Sequence, residues 1–113
     1  MLKYRLYCKD ILRAIRLIEI TTKNKTFMVF SKNINLIDAT AMRIQIIGES
    51  IRKLPSELKT DTKEINWSYL EGMRNIISHT YFKVNSELLW NIIKEELPFL
   101  KKYIKKIMSV KRV

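Results

Sequence analysis

Between Ile34 and Leu54 the apolar side chains Ile37, Ala41, Ile44, Ile47, Ile51 and Leu54 recur at every third or fourth position, which is the period of one buried helix face. A strand would alternate instead, so this stripe commits residues 34–54 to a helix that other helices must cover. Pro55 stops it. The same period appears in Tyr7, Ile11, Ile15 and Ile18, with Lys9, Arg13 and Arg16 around the rest of the turn, and predicts a helix over 2–21. Asn66 is placed to cap a third helix, WSYLEGMRNIISH, which turns Trp67, Leu70 and Ile77 inward and ends near Tyr81. Asn85 caps a fourth, whose stripe of Leu89, Ile92, Ile93, Leu97, Leu100, Ile104 and Ile107 runs toward the C-terminus. Pro98 lies inside that stripe, and a proline there removes a hydrogen bond and clashes with the preceding turn, so a kink is expected near Lys94–Leu97. The expected fold is all-α, an antiparallel four-helix-type bundle with a kinked C-terminal helix, forming a single domain over residues 1–113.

Two glycines and two prolines in 113 residues are too few turn-formers for a many-stranded sandwich, and 47% apolar residues are too many for a disordered chain. The stretch TTKNKTFMVFSKN reads as a connector tucking its aromatics under the bundle rather than a paired strand, and SELKTDTKEIN reads as a polar loop. Gly48 inside the second helix costs about 1 kcal/mol relative to alanine, which is explained if another backbone approaches closely there. Trp67 and Trp90 are expected as core anchors.

Lys and Arg number 22 against 11 Asp and Glu, a net charge of +11 that favours polyanionic partners. No apolar run approaches the ~18 residues of a membrane span, and MLKYRLYCKD lacks the apolar core of a secretion signal, so a cytoplasmic, soluble protein without a membrane role is expected. One cysteine and one histidine can form neither an internal disulfide nor a zinc site of the ordinary kinds, so no metal or cofactor is expected and Cys8 is read as inert. Lys101, Lys102, Lys105, Lys106, Lys111 and Arg112 cluster near the C-terminus, and Lys3, Arg5 and Lys9 near the N-terminus. Antiparallel packing would bring the two groups together as a phosphate-contacting rim, or they are solvated helix faces. Lys83, Lys101 and Lys105 are the individual candidates for such phosphate contacts.

The one histidine lies in MRNIISHTYF, which sets Arg74, His79 and Tyr81 in the pattern R-x4-H-x-Y. Around a helix Arg74 and His79 are about 140° apart, so they converge on one ligand only if the helix ends at His79. A neutral imidazole can accept a 2′-hydroxyl proton or return one to a leaving oxygen, while a guanidinium holds the phosphate, which makes the set chemically sufficient for metal-free RNA cleavage. Spacing alone also allows a helix-terminal histidine, a solvated arginine and a core tyrosine.

The segment GMRNIISHTYFKVNSELLWNIIKEELPFL, with AMRIQIIGESIRKL upstream, strongly resembles the HepT-like toxins of the HEPN superfamily of helical ribonucleases. The resemblance covers nearly the whole chain and includes the R-x4-H-x-Y element, Ile47-Gly48-Glu49, Trp67, Trp90 and the Leu97-Pro98 step. Ser50 departs from it, since alanine commonly follows the Gly-Glu pair. The resemblance implies a homodimer whose two R-x4-H elements face each other, and a cognate minimal nucleotidyltransferase as antitoxin. It also implies that Arg74 and His79 are catalytic, that Asn75 assists, and that Tyr81 is the residue silenced by nucleotidylation (AMPylation). The resulting expectation is a toxin-type, metal-independent endoribonuclease acting by 2′-hydroxyl attack. Its rival is a catalytically silent RNA- or nucleotide-binding module that partners a nucleotidyltransferase.

Overall fold

The computed structural model describes residues 3–59, 64–79 and 85–109, with residues 75–79 described by their backbone course. All regular structure among these residues is helical: α1 spans Lys3–Thr22, α2 Phe27–Ser31, α3 Ile34–Arg52, α4 Trp67–His79, α5 Ser86–Asn91 and α6 Leu97–Ser109. A 3₁₀ turn over Ser56–Lys59 follows α3, and a π-helical turn over Ile92–Glu96 joins α5 to α6. No helix among the described residues is long and apolar enough to cross a membrane.

The starts of α3, α4 and α5 are written in capping side chains. Asn33 Oδ1 accepts from Leu36 N at 3.0 Å, Asn66 Oδ1 from Tyr69 N at 3.0 Å and Asn85 Oδ1 from Leu88 N at 3.1 Å, each satisfying a first-turn donor that has no intrahelical partner. After α1 the chain turns at Asn24, whose φ of 60° is the left-handed conformation that asparagine tolerates better than most residues.

The helices run antiparallel where their contacts fix direction. Lys53 Nζ lies 5.5 Å from the Tyr7 ring centroid and Arg43 Nη1 3.5 Å from Thr21 Oγ1, so the end of α3 meets the start of α1. Arg5 Nη2 donates to Met108 O at 3.2 Å and Lys101 Nζ to Glu19 Oε2 at 3.0 Å, which sets α6 antiparallel to α1 in the same way. The stripes named in the sequence converge on one core, including Ile11, Ile15, Ile18, Ile44, Ile47, Ile51, Leu70, Leu89, Leu100 and Ile104, all buried.

Two connectors depart from expectation. The stretch after α1 forms a short helix, α2, capped by Thr26, and it tucks in one aromatic fully: Phe30 is buried against Trp90 at 5.1 Å between ring centroids. Phe27 meets the same indole at 6.1 Å yet stays partly exposed, and Met28 and Val29 face outward. A five-residue helix has one inner face, too narrow for four consecutive apolar residues. The expected proline kink takes the form of the π turn: the N–H of Leu97 bonds back to Ile92 O, five residues earlier. Pro98 has no N–H to return to the preceding turn, and the wider turn separates its ring from the carbonyl it would otherwise strike.

Gly48 is the crossing point of α3 and α4. A Cβ built there would stand 3.0 Å from Leu70 O and 3.4 Å from both Glu71 O and Arg74 Cβ, whereas one on Gly72 would meet nothing within 4 Å. Gly72→Ala should therefore raise stability by about 0.5–1 kcal/mol, the ordinary gain of removing a helix-interior glycine. Gly48→Ala should fall short of that gain, and Gly48→Val should lower the melting temperature outright. Thermal melts of the three variants check this; equal gains for the two alanine variants would mean that α3 and α4 are not in tight contact.

Candidate functional site

The close approach at Gly48 places the next residue, Glu49, against α4. Arg74 Nη1 donates to Glu49 Oε2 at 2.7 Å, and Arg52 Nη2 reaches Glu49 Oε1 at 3.6 Å from one turn along α3. One carboxylate thus spans two guanidinium groups, and the Arg74 contact has the short length of a charge-assisted hydrogen bond. Hydrogen bonding from Arg74 holds the Glu49 carboxyl below its ordinary pKa, helped by the charges of Arg74, Arg52 and Lys53 and opposed by desolvation. With Nη1 committed to Glu49, Arg74 is a restrained cation, and its Nε is buried with no partner among the described residues.

Arg74 and His79 lie five residues apart on the same helix, α4, and His79 is the last residue described before Asn85. Asn75 is placed on α4 by its backbone; Tyr81 and Lys83 lie outside the described residues. The structure thus brings Arg74 together with Glu49, a pairing that the spacing of the motif did not contain. Its signal in the sequence is Gly48-Glu49 itself, a glycine followed by an acid in the middle of an apolar helix.

The other candidates divide. Lys101 donates to both carboxylate oxygens of Glu19, at 3.1 and 3.0 Å, so its charge is met within the protein, whereas Lys105 is exposed on α6. Arg5 and Met108, near the two ends of the described bundle, are in contact, while Lys111 and Arg112 lie outside the described residues. Trp67 packs edge-on against Tyr103 at 5.6 Å and Trp90 stacks on α2, so both indoles are packing anchors. Cys8 is buried, and burial pushes its thiol pKa up, which suppresses the reactive thiolate. No group of three or more His, Cys, Asp or Glu suited to a metal ion occurs among the described residues.

The Glu49–Arg74 pair carries a pH signature. Because the folded carboxyl has a lowered pKa, its contribution to stability is fully present above the ordinary carboxylate range and is lost as pH falls through the lowered value. Glu49→Gln should therefore melt below wild type at about pH 7, and the difference should shrink as pH falls below the ordinary carboxylate range and Glu49 takes up its proton. Melting curves across that range check it; a constant difference would show that the pair is not coupled to folding.

Comparison with known proteins adds to this geometry. Residues 11–107 match the profile of the family described as "Ribonuclease HepT-like". The chain is 41% identical over 105 residues, 93% of its own length, to a "gamma-glutamylcyclotransferase and putative RNase" of Methanocaldococcus jannaschii, of which it spans 47%. It is 32% identical over 105 residues to a "putative RNase" of Caldanaerobacter subterraneus subsp. tengcongensis, covering 93% of this chain and 94% of that one. It is 35% identical over 101 residues to a "probable ribonuclease HepT" of Thermococcus cleftensis, covering 89% of this chain and 92% of that one. No solved structure matches the chain significantly. With the family profile covering most of the helical bundle and full-length relatives above 30% identity, the chain belongs to the HepT-like ribonucleases of the HEPN superfamily.

Proposed function

We propose that this chain is the toxin of a toxin–antitoxin pair, a metal-independent endoribonuclease that works as a homodimer on cytoplasmic RNA. The observation that carries this reading is the guanidinium of Arg74, fixed by Glu49 at 2.7 Å on the helix that carries the chain's one histidine. In the reaction, His79 of one subunit takes the 2′-hydroxyl proton and the freed oxygen attacks the adjacent phosphorus. The bond from phosphorus to the 5′-oxygen breaks as that oxygen receives a proton from the partner subunit's His79, leaving a 2′,3′-cyclic phosphate and a 5′-hydroxyl. Arg74 balances the charge on the non-bridging oxygens, and Asn75 assists. Two-fold symmetry supplies both a base and an acid from a single histidine per chain. Lys83 and Lys105 add sequence-independent phosphate contacts, as does Lys101 if RNA displaces Glu19.

Control of this activity is assigned to Tyr81, two residues after His79 in the sequence. A cognate minimal nucleotidyltransferase would join its phenol oxygen to the α-phosphorus of ATP, releasing pyrophosphate. The attached AMP places a charge and a bulky base where substrate phosphate must sit.

The protein should cleave single-stranded or tRNA-like RNA in excess EDTA, and His79→Ala should lower the rate by at least ~10² with the helical circular dichroism unchanged. Activity that appears only when magnesium is restored would refute the mechanism. A wild type that binds RNA and never cuts it would establish the binding module instead. Mixed dimers of wild-type and His79→Ala chains should lose most of the activity, because their shared cleft holds one histidine in place of two, whereas a strictly monomeric wild type that still cleaves would exclude the shared site.

For Tyr81, intact mass after incubation with ATP, magnesium and the nucleotidyltransferase should show AMP-sized increments on wild type and none on Tyr81→Phe. Equal increments on both would place the target elsewhere.

A further inference from the structure

We propose that Arg13, Arg16 and Arg43 form a phosphate track for single-stranded RNA, in a groove between α1 and α3 that leads toward Arg74. The proposal rests on the reading that this chain acts on RNA, and it names residues outside both the R-x4-H-x-Y element and the C-terminal lysines.

The groove has a volume of ≈ 320 Å³ and is lined by Asp10, Arg13 and Leu17 of α1 and Met42, Arg43 and Ile46 of α3. A second, outward-facing trough of ≈ 580 Å³ continues from it along α1, sharing Arg13 and Leu17 and adding Lys9 and Arg16. Lys9, Arg13 and Arg16 are exposed and make no ion pair among the described residues, while Arg43 enters from the facing helix with a single long contact to Thr21 Oγ1 at 3.5 Å. Four cations therefore face one carboxylate, Asp10, which is itself without an ion pair.

The kind of cation matters as much as the number. Lysines outnumber arginines fifteen to seven over the whole chain, yet this surface holds three arginines and one lysine. A guanidinium fork binds phosphate through two parallel hydrogen bonds where an ammonium offers a point charge, so the surface is biased toward the residue that grips phosphate best. Among the lysines of α6, by contrast, Lys101 is already bound to Glu19.

Position connects the groove to the reaction centre. On α3, Met42, Ile46 and Glu49 follow one another at helical spacing on one side, and Glu49 holds Arg74. Six residues separate Arg43 from Glu49, about 9 Å along the helix axis, a distance that a few nucleotides of single strand span. Met42 and Ile46 are 64% and 42% exposed, large apolar side chains left open between the arginines and the centre. Against them bases can lie without sequence preference while phosphates follow the cations. A second copy of the chain seated on the same groove by two-fold symmetry would set these arginines against their own duplicates, which argues for a polyanion as the occupant.

The test measures binding in EDTA to a fluorescently labelled oligouridylate of about a dozen nucleotides, across a salt series, in the His79→Ala background so that cleavage does not intervene. Arg13→Glu/Arg16→Glu should lower affinity at least ~10-fold at low salt and reduce the salt slope by about 1.4, the loss of two single-strand phosphate contacts. Lys102→Glu/Lys106→Glu makes the same change in net charge on exposed positions of α6 and should cost less than ~3-fold. Equal losses in the two pairs would overturn the track, because affinity would then follow net charge alone. Affinity unchanged in the α1 pair would overturn it directly. Should the double variant lose its helical circular dichroism, Arg16→Gln alone, expected to reduce the slope by about 0.7, decides instead. Loss of binding to phosphatidylglycerol vesicles with RNA affinity intact would reassign the face to a membrane surface and refute the proposal. Cleavage by the unmodified wild type is scored separately: a wild type that cuts nothing defeats the ribonuclease mechanism, while the track stands or falls on the binding data.

Discussion

The contact on which the site depends is the passage of α3 over α4 at Gly48, where a side chain of even one carbon would press on the carbonyl of Leu70 at 3.0 Å. That closeness lets Glu49 reach Arg74 at 2.7 Å, and the neighbouring Arg52 helps to hold the carboxylate. Because both partners remain partly open to water, with 26% and 38% of their side chains exposed, the pair is a minor term in stability. Its value is orientation: a guanidinium on a long, rotatable stem is pinned at one nitrogen, which leaves the others aimed by the helix that carries them. Core packing thus sets the geometry of a surface cation.

Helix periodicity made most of the architecture legible. The stripes from Ile11 to Ile18, Ile37 to Leu54 and Leu89 to Ile107 became the buried faces of α1, α3 and α5–α6, and Asn66 and Asn85 capped the helices they were expected to cap. The oddity of Gly48 pointed correctly to a close approach, although nothing in the sequence said which helix would make it. Less legible were features that depend on partners distant in sequence. The Glu49–Arg74 pair spans 25 residues and follows no local rule. The π turn before Pro98 is a choice among ways of accommodating a missing N–H, and the sequence shows only that something must give. The FMVF run was ambiguous because so short an apolar stretch suits strand, helix or buried loop equally. For the site, the R-x4-H-x-Y pattern supplied candidates, of which Arg74 is seen against Glu49, while Tyr81 lies outside the described residues.

A basic chain with half as many acids as cations cannot pair its charges internally, so the distribution of the few acids decides which cations stay open. Glu19 occupies Lys101 and Glu49 is shared by Arg74 and Arg52. The two acids thereby fix three cations and leave the outer side of α1 as largely uncompensated positive surface. Sequence-level charge counting finds the excess; only the fold shows where it is concentrated.

The hydrogen bond from Arg5 to the carbonyl of Met108 closes the helical bundle on itself across 103 residues. A unit whose first and last helical turns touch occupies its place in a longer polypeptide as a side loop would, entering and leaving at nearly one point. Such a unit can be appended to, or carried beside, an unrelated catalytic domain without its core being pulled apart. The match to about half of a longer archaeal protein that also bears a cyclotransferase name is one instance of this modularity.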